Sequence, residues 1–370
     1  MKIQGAVLVD SSNTRPFAES RPILVSEVDL DEPGPGEVLV RIECAGLCHS
    51  DLSVVDGSRP RPVPMLLGHE AAGRVEELGE GVDDVTVGQR VVMTFLPRCE
   101  QCPECRTGGR LPCRNGSASN AAGSLLGGGQ RLHRGHDAVA HHLGVSGFAS
   151  HAVVSRRSIV PVGDDVPADV AALLGCAVLT GGGALLNVGR PEPEQSVVIV
   201  GLGGVGMAAL LVARALGVAS VTAIDAIPGK LDTAAALGAS AVYSPADAER
   251  AGIRGEVVVE AAGAAPAFAT AVRLTAPGGR TVSVGLPRAD SVAEVHPLGL
   301  VAEAREIVGS YLGSSVPSRD IPVYEALWRE GRLPLERLIS ARLPLAEINS
   351  GMDELASGRA LRQMIDVGEE

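Results

Sequence analysis

Along the first 160 residues the apolar positions come in short alternating runs, at 38–43, 73–78, 90–95 and 149–154, each bounded by glycine or proline. A period of two places every second side chain on one face, so these runs predict the strands of a largely β domain. Beyond Pro191 the rhythm changes to solid apolar runs separated by helical spacing. Strands are expected at 196–200, 220–224, 256–260, 280–284 and 306–311, with helices at 204–216 and 229–237. Strands alternating with helices imply a parallel, doubly wound sheet. The tail is expected to hold helices at 322–330 and 346–357 and a strand at 361–367. The fold class is therefore α/β: a β-rich domain over 1–177, a doubly wound domain over 178–311, and a return to the first domain over 312–370. Within the first domain, residues 106–140 read as a long loop, rich in Asn, Ser and Arg around Gly127, Gly128 and Gly129. A loop of that length in a compact domain is usually functional or clipped by a metal.

Composition narrows the classes. A chain of 370 residues suits two domains, and 45% hydrophobic with 21% charged residues is a globular profile. The net charge of −12 argues against nucleic acid or an anionic membrane surface as partner. No apolar run approaches the roughly 20 residues of a bilayer span. Asp10 and Asn13 interrupt the N-terminal apolar stretch, so no signal peptide is expected. A cytoplasmic location follows as an expectation, and thiols there serve metals better than disulfides.

Six of the seven cysteines carry the candidate chemistry. Cys99, Cys102, Cys105 and Cys113 read C-x2-C-x2-C-x7-C, close enough in sequence to wrap one tetrahedral Zn²⁺. Four thiolates close the shell to water, so this lobe, at about 97–115, is a structural staple. Cys48, His69 and Cys176 are scattered, the habit of an open Cys2His site. Taken singly, His69 also reads as a polar core residue and Cys176 as a small apolar filler. Cys44, in an alternating run, is expected to be a small buried strand residue. His133, His136, His141 and His142 are expected in a solvated loop, since no thiol or carboxylate joins them at a regular spacing.

The run 201–206, G-L-G-G-V-G, follows an apolar strand and opens a helical pattern. That is the context a dinucleotide fingerprint requires. Gly201 would make the tight turn, Gly203 and Gly204 would lie against the pyrophosphate at the helix N-terminus, and Gly206 would let helix pack on strand. Asp225, about 20 residues on, would accept from both ribose hydroxyls and repel a 2′-phosphate. No arginine follows at Ala226 or Ile227, so NAD is favoured over NADP.

With A-G-L-C-H-S-D at 45–51, G-H-E at 68–70, the four-cysteine cluster, Gly175-Cys176 with Thr180-Gly181, and the glycine run, the chain resembles the zinc-dependent medium-chain alcohol dehydrogenases from about residue 5 to 367. The closest likeness is to the animal-type and thiol-dependent formaldehyde dehydrogenase branch. The resemblance implies a GroES-like catalytic domain and a Rossmann domain, with two zinc ions per chain, one catalytic and one structural, and NAD in the cleft between the domains. It implies Cys48, His69 and Cys176 as catalytic zinc ligands, Asp51 orienting His69, and Glu70 as a nearby carboxylate. Ser50 would bond the substrate oxygen and begin the proton relay. His49 and Arg362 would contact pyrophosphate and Lys230 the adenosine ribose. Val205, Thr180, Val284 and Leu286 would wall the nicotinamide, and Phe95 the substrate pocket. A homodimer acting on a small alcohol or aldehyde is implied as well.

Two positions depart from the family. Ser53 stands where the animal enzymes carry a relay histidine, and Ser117 where the thiol-dependent enzymes carry an arginine. Arg114 or Arg131 is the available substitute for the latter. The alternatives are a dehydrogenase of S-hydroxymethyl-thiol adducts, a reductase of carbonyls or iminium ions, and a zinc-stapled dinucleotide-binding protein without turnover. With 2% aromatic residues, the pocket is expected to be wide or aliphatic.

Overall fold

The alternation at 38–43 extends into one long strand, Glu37–Leu47, with Val38, Val40 and Ile42 in one apolar core and Leu39 in another. The computed structural model describes residues 1–367. Around that strand lies a seven-stranded sheet in the order Ile159–Pro161, Arg90–Met93, Ala71–Leu78, Glu37–Leu47, Arg362–Asp366 and Ile339–Pro344, with His151–Ser155 also paired to Glu37–Leu47. A closed barrel runs Lys2–Leu8, Ile23–Leu30, Leu132–Arg134, Asp137–His141 and Met65–Leu66. Together they make the β-rich unit, Met1–Cys176 with the chain from Ile339 onward. Cys44 is buried in the long strand, and burial pushes its thiol up to about 12.

The loop expected at 106–140 is a correction. It contains the helix Arg114–Ala122 and two of the barrel strands. Cys113 caps that helix by accepting Gly116 N–H at 3.3 Å, and Gly123 ends it in the left-handed region. Leu132 and Val139 then pair across the hairpin and fill the barrel core. The solvated histidine loop is corrected too: His141 and His142 are each 1% exposed, and only His133 and His136 reach solvent.

The second unit, Ala177–Leu338, is a six-stranded parallel sheet. Its order is Ala241–Tyr243, Ser220–Ile224, Ser196–Val200, Gly255–Glu260, Thr275–Ser283, Glu306–Gly309. Numbered along the chain this is 3-2-1-4-5-6, the dinucleotide-binding order, whose switch point lies between Ser196–Val200 and Gly255–Glu260. The helices Gly204–Ala215 and Pro228–Ala236 fall where expected, whereas the strand Ala241–Tyr243 and the helices Pro245–Arg250 and Ala265–Arg273 were not foreseen.

The return to the β-rich unit comes at Ile339 rather than at 312. Helix Pro317–Arg329 belongs to the second unit because its contacts are there. Tyr324 packs against Gly182, Asp320 accepts from Asn187 Nδ2 at 3.0 Å and from Val316 N–H at 3.0 Å, and Arg332 donates to Ala215 O. The helical stretch Ala168–Gly189 is long and apolar enough to cross a membrane by length alone. Its most apolar window is 94% buried within the protein, which makes it a core helix.

Candidate metal centre and nucleotide site

Three separate elements of the β-rich unit present Cys48, His69 and Cys176. Cys48 is the extended residue before helix His49–Val55, and its N–H donates to Asp51 Oδ2 at 3.1 Å. That bond locks the thiol-bearing residue to the carboxylate one turn on. His69 follows Gly68, which has φ +95 and would place a Cβ 2.4 Å from Phe148 N. Only glycine fits there. Gly147 N–H donates to Gly68 O and Phe148 N–H to Leu67 O, both at 3.0 Å, so the segment that carries the histidine is sewn to the one after His142. Cys176 sits in the π-helical turn Leu174–Val178, a widened turn frequent at functional sites.

The three side chains meet. Cys176 Sγ lies 3.5 Å from His69 Nε2, and the ligand atoms of all three fall within 4.8 Å of one another. Sulfur and nitrogen bound tetrahedrally to one zinc sit about 3.6 Å apart, so the donor set fits that ion. All three residues are buried. His69 Nδ1 is 3.0 Å from Asp51 Oδ1, which turns Nε2 toward the sulfurs and sets the tautomer. Phe95 packs edge-on against the His69 ring at 5.5 Å between centroids.

Charge is tightly managed here. The hydrogen bond between Cys48 and Cys176 pushes the first thiol down and the second up, and the Arg362 cation assists Cys48. Burial pulls the His69 imidazole down, but the Asp51 charge outweighs it and holds the ring well above its usual range. Burial likewise pushes Asp51 up, and His69 and His142 hold it below the ordinary carboxyl value. Glu70 lies fully buried with Oε1 3.4 Å from Arg362 Nε, and burial pushes its carboxyl up to about 7 against the pull of that cation. Arg362 is 3% exposed and also donates to Leu47 O at 3.0 Å. His49 is exposed and Ser50 half-buried on the first turn of the same helix. Ser53 Oγ donates to His49 O at 2.8 Å.

The four-cysteine lobe is compact. Cys99 and Cys105 sulfurs are 4.0 Å apart, and those of Cys102 and Cys113 are 3.9 Å apart. A tetrahedral zinc holds four sulfurs about 3.8 Å from one another, while a disulfide needs about 2.05 Å. Polar hydrogens stabilise the sulfurs: Cys99 N–H and Gly116 N–H point at Cys113 Sγ, and Asn115 Nδ2 at Cys99 Sγ. Burial pushes Cys99 up, but the N–H groups of Gln101 and Cys102 outweigh it and bring the thiol to about 6. Burial takes Cys105 to about 12.

In the second unit Gly201 has φ +94, and a Cβ there would lie 2.5 Å from Ala262 N. A Cβ on Gly206 would lie 1.9 Å from Gly201 O, so the helix seats directly on the turn. Gly203 faces open space, and Gly204 begins the helix. Asp225 Oδ2 accepts Leu202 N–H at 2.7 Å and Oδ1 accepts Ile227 N–H at 2.9 Å, which ties the carboxylate to the glycine turn. Lys230 is half-buried in the first turn of Pro228–Ala236. Thr180 and Val284 are buried, Val205 is half-buried at the helix start, and Leu286 is exposed against Gly263.

Sequence reasoning missed two buried polar residues. Glu260 ends the strand Gly255–Glu260 and accepts Ala262 and Gly263 N–H on Oε1 and the Ser283 hydroxyl on Oε2. A lone acid closing an apolar strand was the available signal. His142 had none, because what it touches lies far away in the chain. Of the two arginines offered as substitutes at the thiol site, Arg114 donates to Glu104 at 3.0 Å and Arg131 to Glu37 at 2.7 Å.

Comparison with known proteins bears on both units. Residues 34–164 match the alcohol dehydrogenase GroES-like domain, and residues 204–329 match the zinc-binding dehydrogenase family. Alcohol dehydrogenase B of Mycobacterium tuberculosis is 33% identical over 377 residues, covering 99% of this chain and 98% of the relative. An NDMA-dependent alcohol dehydrogenase of Amycolatopsis methanolica is 32% identical over 381 residues, covering 99% of each. The structure of benzyl alcohol dehydrogenase from Acinetobacter calcoaceticus superposes with a TM-score of 0.90 at 28% identity, over 100% of both chains.

Proposed function

Because the chain belongs to the zinc-dependent medium-chain alcohol dehydrogenase family, we propose that it interconverts an alcohol and an aldehyde or ketone with NAD(H). The observation that carries this reading is the meeting of Cys48, His69 and Cys176 in a buried set whose spacing suits zinc. When bound, zinc supplies Lewis acidity toward the substrate oxygen, and NAD supplies the hydride acceptor. The protein's own side chains do the rest. Asp51 holds His69 in one tautomer and orientation. Ser50, half-buried one residue beyond His49, takes the hydroxyl proton. Ser53 is bonded to backbone and offers no base, so the proton leaves Ser50 through water. Phe95, edge-on to His69, limits where the reacting carbon can lie.

NAD is favoured because Asp225 sits on the glycine turn where a 2′-phosphate would approach it. The thiol-adduct reading loses support, since Arg114 and Arg131 are already engaged by protein carboxylates. Among substrates we favour bulky alcohols: aromatic residues make up only 2% of the chain, and one similar structure is a benzyl alcohol dehydrogenase. A panel running from ethanol to benzyl alcohol, followed by NADH absorbance with and without added thiol, tests all of this. Activity only with thiol, or none on any alcohol, would overturn it.

A homodimer also fits. Glu306–Gly309 is an outer strand of its sheet, and Val292, Leu298 and Val301 nearby in sequence are exposed. Such an edge is covered by pairing or left prone to aggregation. Sedimentation should give twice the 37.8 kDa chain mass, and Val301→Asp should shift it toward monomer.

A further inference from the structure

Asp51 is bracketed by two imidazoles. His69 Nδ1 is 3.0 Å from Asp51 Oδ1, and His142 Nδ1 is 3.2 Å from the same oxygen. The second contact is within hydrogen-bond reach, and within the described residues no other partner serves that buried nitrogen. The two histidine rings stand perpendicular, 5.4 Å apart. Phe95 is also perpendicular to the His69 ring, at 5.5 Å, so two rings pack against it.

The chain fixes His142 firmly. Its N–H donates to Ser146 Oγ at 3.0 Å, and its carbonyl accepts from Val145 and Ser146 N–H. Leu143 and Ser146 take left-handed backbone conformations to make that turn. The next residues, Gly147 and Phe148, donate to the segment that leads into His69. Nothing in a surface turn requires such constraint. A further donor on Asp51 does: Cys48 N–H holds Oδ2, and a donor on Oδ1 beside His69 fixes the position of the oxygen that defines where Nε2 of His69 points.

We propose that His142 is a positioning residue for the metal centre, holding Asp51 through its Nδ1–H so that His69 is aimed at the two sulfurs. Asp51, His69 and His142 read as a hydrogen-bonded set rather than a second metal site: both Nδ1 atoms lie at hydrogen-bond distance from one oxygen, Asp51 Oδ1, and His69 Nδ1 must remain a donor there for its Nε2 to serve the sulfurs. The proposal rests on the zinc reading of Cys48, His69 and Cys176, and its test separates the two.

His142→Phe keeps a ring of similar shape and removes the donor, while His142→Asn places an amide N–H close to the position of Nδ1. Zinc loss to a chelator is followed site by site, with the four-cysteine zinc as internal reference. His142→Phe should weaken zinc at the Cys48 site by roughly 10–100-fold and change the visible spectrum of the cobalt-substituted protein. The reference site should not move, and His142→Asn should recover most of the affinity. Equal retention in His142→Phe and wild type, or equal loss in Phe and Asn variants, would overturn the proposal. If His142→Phe does not fold, the nitrogen resonances of wild-type His142 decide instead. A proton on Nδ1 supports the assignment, and a neutral ring protonated only on Nε2 refutes it. Wild-type protein holding zinc only on the four cysteines would sink the underlying zinc reading. Two zinc ions with an indifferent His142→Phe would sink His142 alone.

Discussion

The four-cysteine lobe draws every sulfur from residues 99–113, whereas Cys48, His69 and Cys176 are delivered by a helix start, a link between two strands and a π-helical turn far apart in the chain. The lobe is fastened by its own backbone, through N–H groups aimed at sulfur. The dispersed set is fastened by other side chains: Asp51 on His69, His142 on Asp51, and Arg362 on Glu70. A local chelate closes a short loop and gains its order from the ion, as small metal domains do. A dispersed set is arranged by the sheet and barrel before any ion arrives. Metal should therefore mean structure in one place and chemistry in the other.

The sharpest way to break this contrast is to remove one ligand from each. Cys48→Ser should lower activity by about 10³-fold, the equivalent of roughly 4 kcal/mol of lost Lewis-acid assistance. The protein should stay folded and retain one zinc per chain, as elemental analysis and NADH-linked assays would show. Cys113→Ser should do the reverse. The sulfur it replaces is fully buried and accepts two backbone N–H bonds, and the neutral serine hydroxyl on its shorter bond serves zinc and those donors poorly. Zinc should leave the lobe, proteolysis near 99–123 should quicken, and the unfolding midpoint should fall, while the intact chains lose far less activity than with Cys48→Ser. If Cys113→Ser silenced chemistry as fully as Cys48→Ser, the division of labour would be wrong.

The nucleotide turn follows the local plan again, with one long-range tie. Asp225 accepts from Leu202 and Ile227, so it both shapes the turn and carries the charge that a 2′-phosphate would meet. Asp225→Asn keeps an acceptor for one N–H and removes the charge. The preference for NAD over NADP should then drop by up to about 100-fold, the scale of a like-charge contact of about 3 kcal/mol relieved. An unchanged ratio of kcat/KM values would mean that specificity is read elsewhere.

What the sequence revealed follows the same line. The C-x2-C-x2-C-x7-C cluster and the 201–206 glycine run were legible because each is a contiguous piece of backbone with its chemistry at fixed spacing. The part of the long strand at 38–43 was legible from alternation, and the parallel sheet from its βα rhythm. Cys48, His69 and Cys176 could be joined only through family resemblance, since no local rule relates them. The barrel hairpin was misread as loop because glycine, serine and arginine dominate its surroundings and only Leu132 and Val139 mark it. His142 was invisible for a stricter reason. Its role depends on Asp51, 91 positions earlier, and a pair of adjacent histidines carries no record of which one faces inward.

Those adjacent histidines also supply the smallest test of the contrast. His141 ends the barrel strand Asp137–His141, immediately before the turn that presents His142 to Asp51. Its Nε2 accepts the Arg131 N–H at 3.0 Å, so the ring is neutral with its proton on Nδ1. A second proton would have to sit on the nitrogen facing that donor. Burial, aided by the charges of Arg131 and His133, takes its pKa down to about 3. An unfolded chain takes up that proton near pH 6.5. The stability from this site is therefore whole above 6.5 and drains away as the pH falls toward 3. Between pH 6.5 and 5 the loss should reach about 2 kcal/mol, at 1.36 kcal/mol per unit. His141→Gln keeps an acceptor for Arg131 and cannot titrate, so its denaturant midpoint should fall less than wild type over that range. Because the strand leads into the His142 turn, acid should release zinc from the Cys48 site of wild type sooner than from His141→Gln at equal pH. Identical acid sensitivity in both proteins would show the barrel hairpin and the metal centre to be uncoupled.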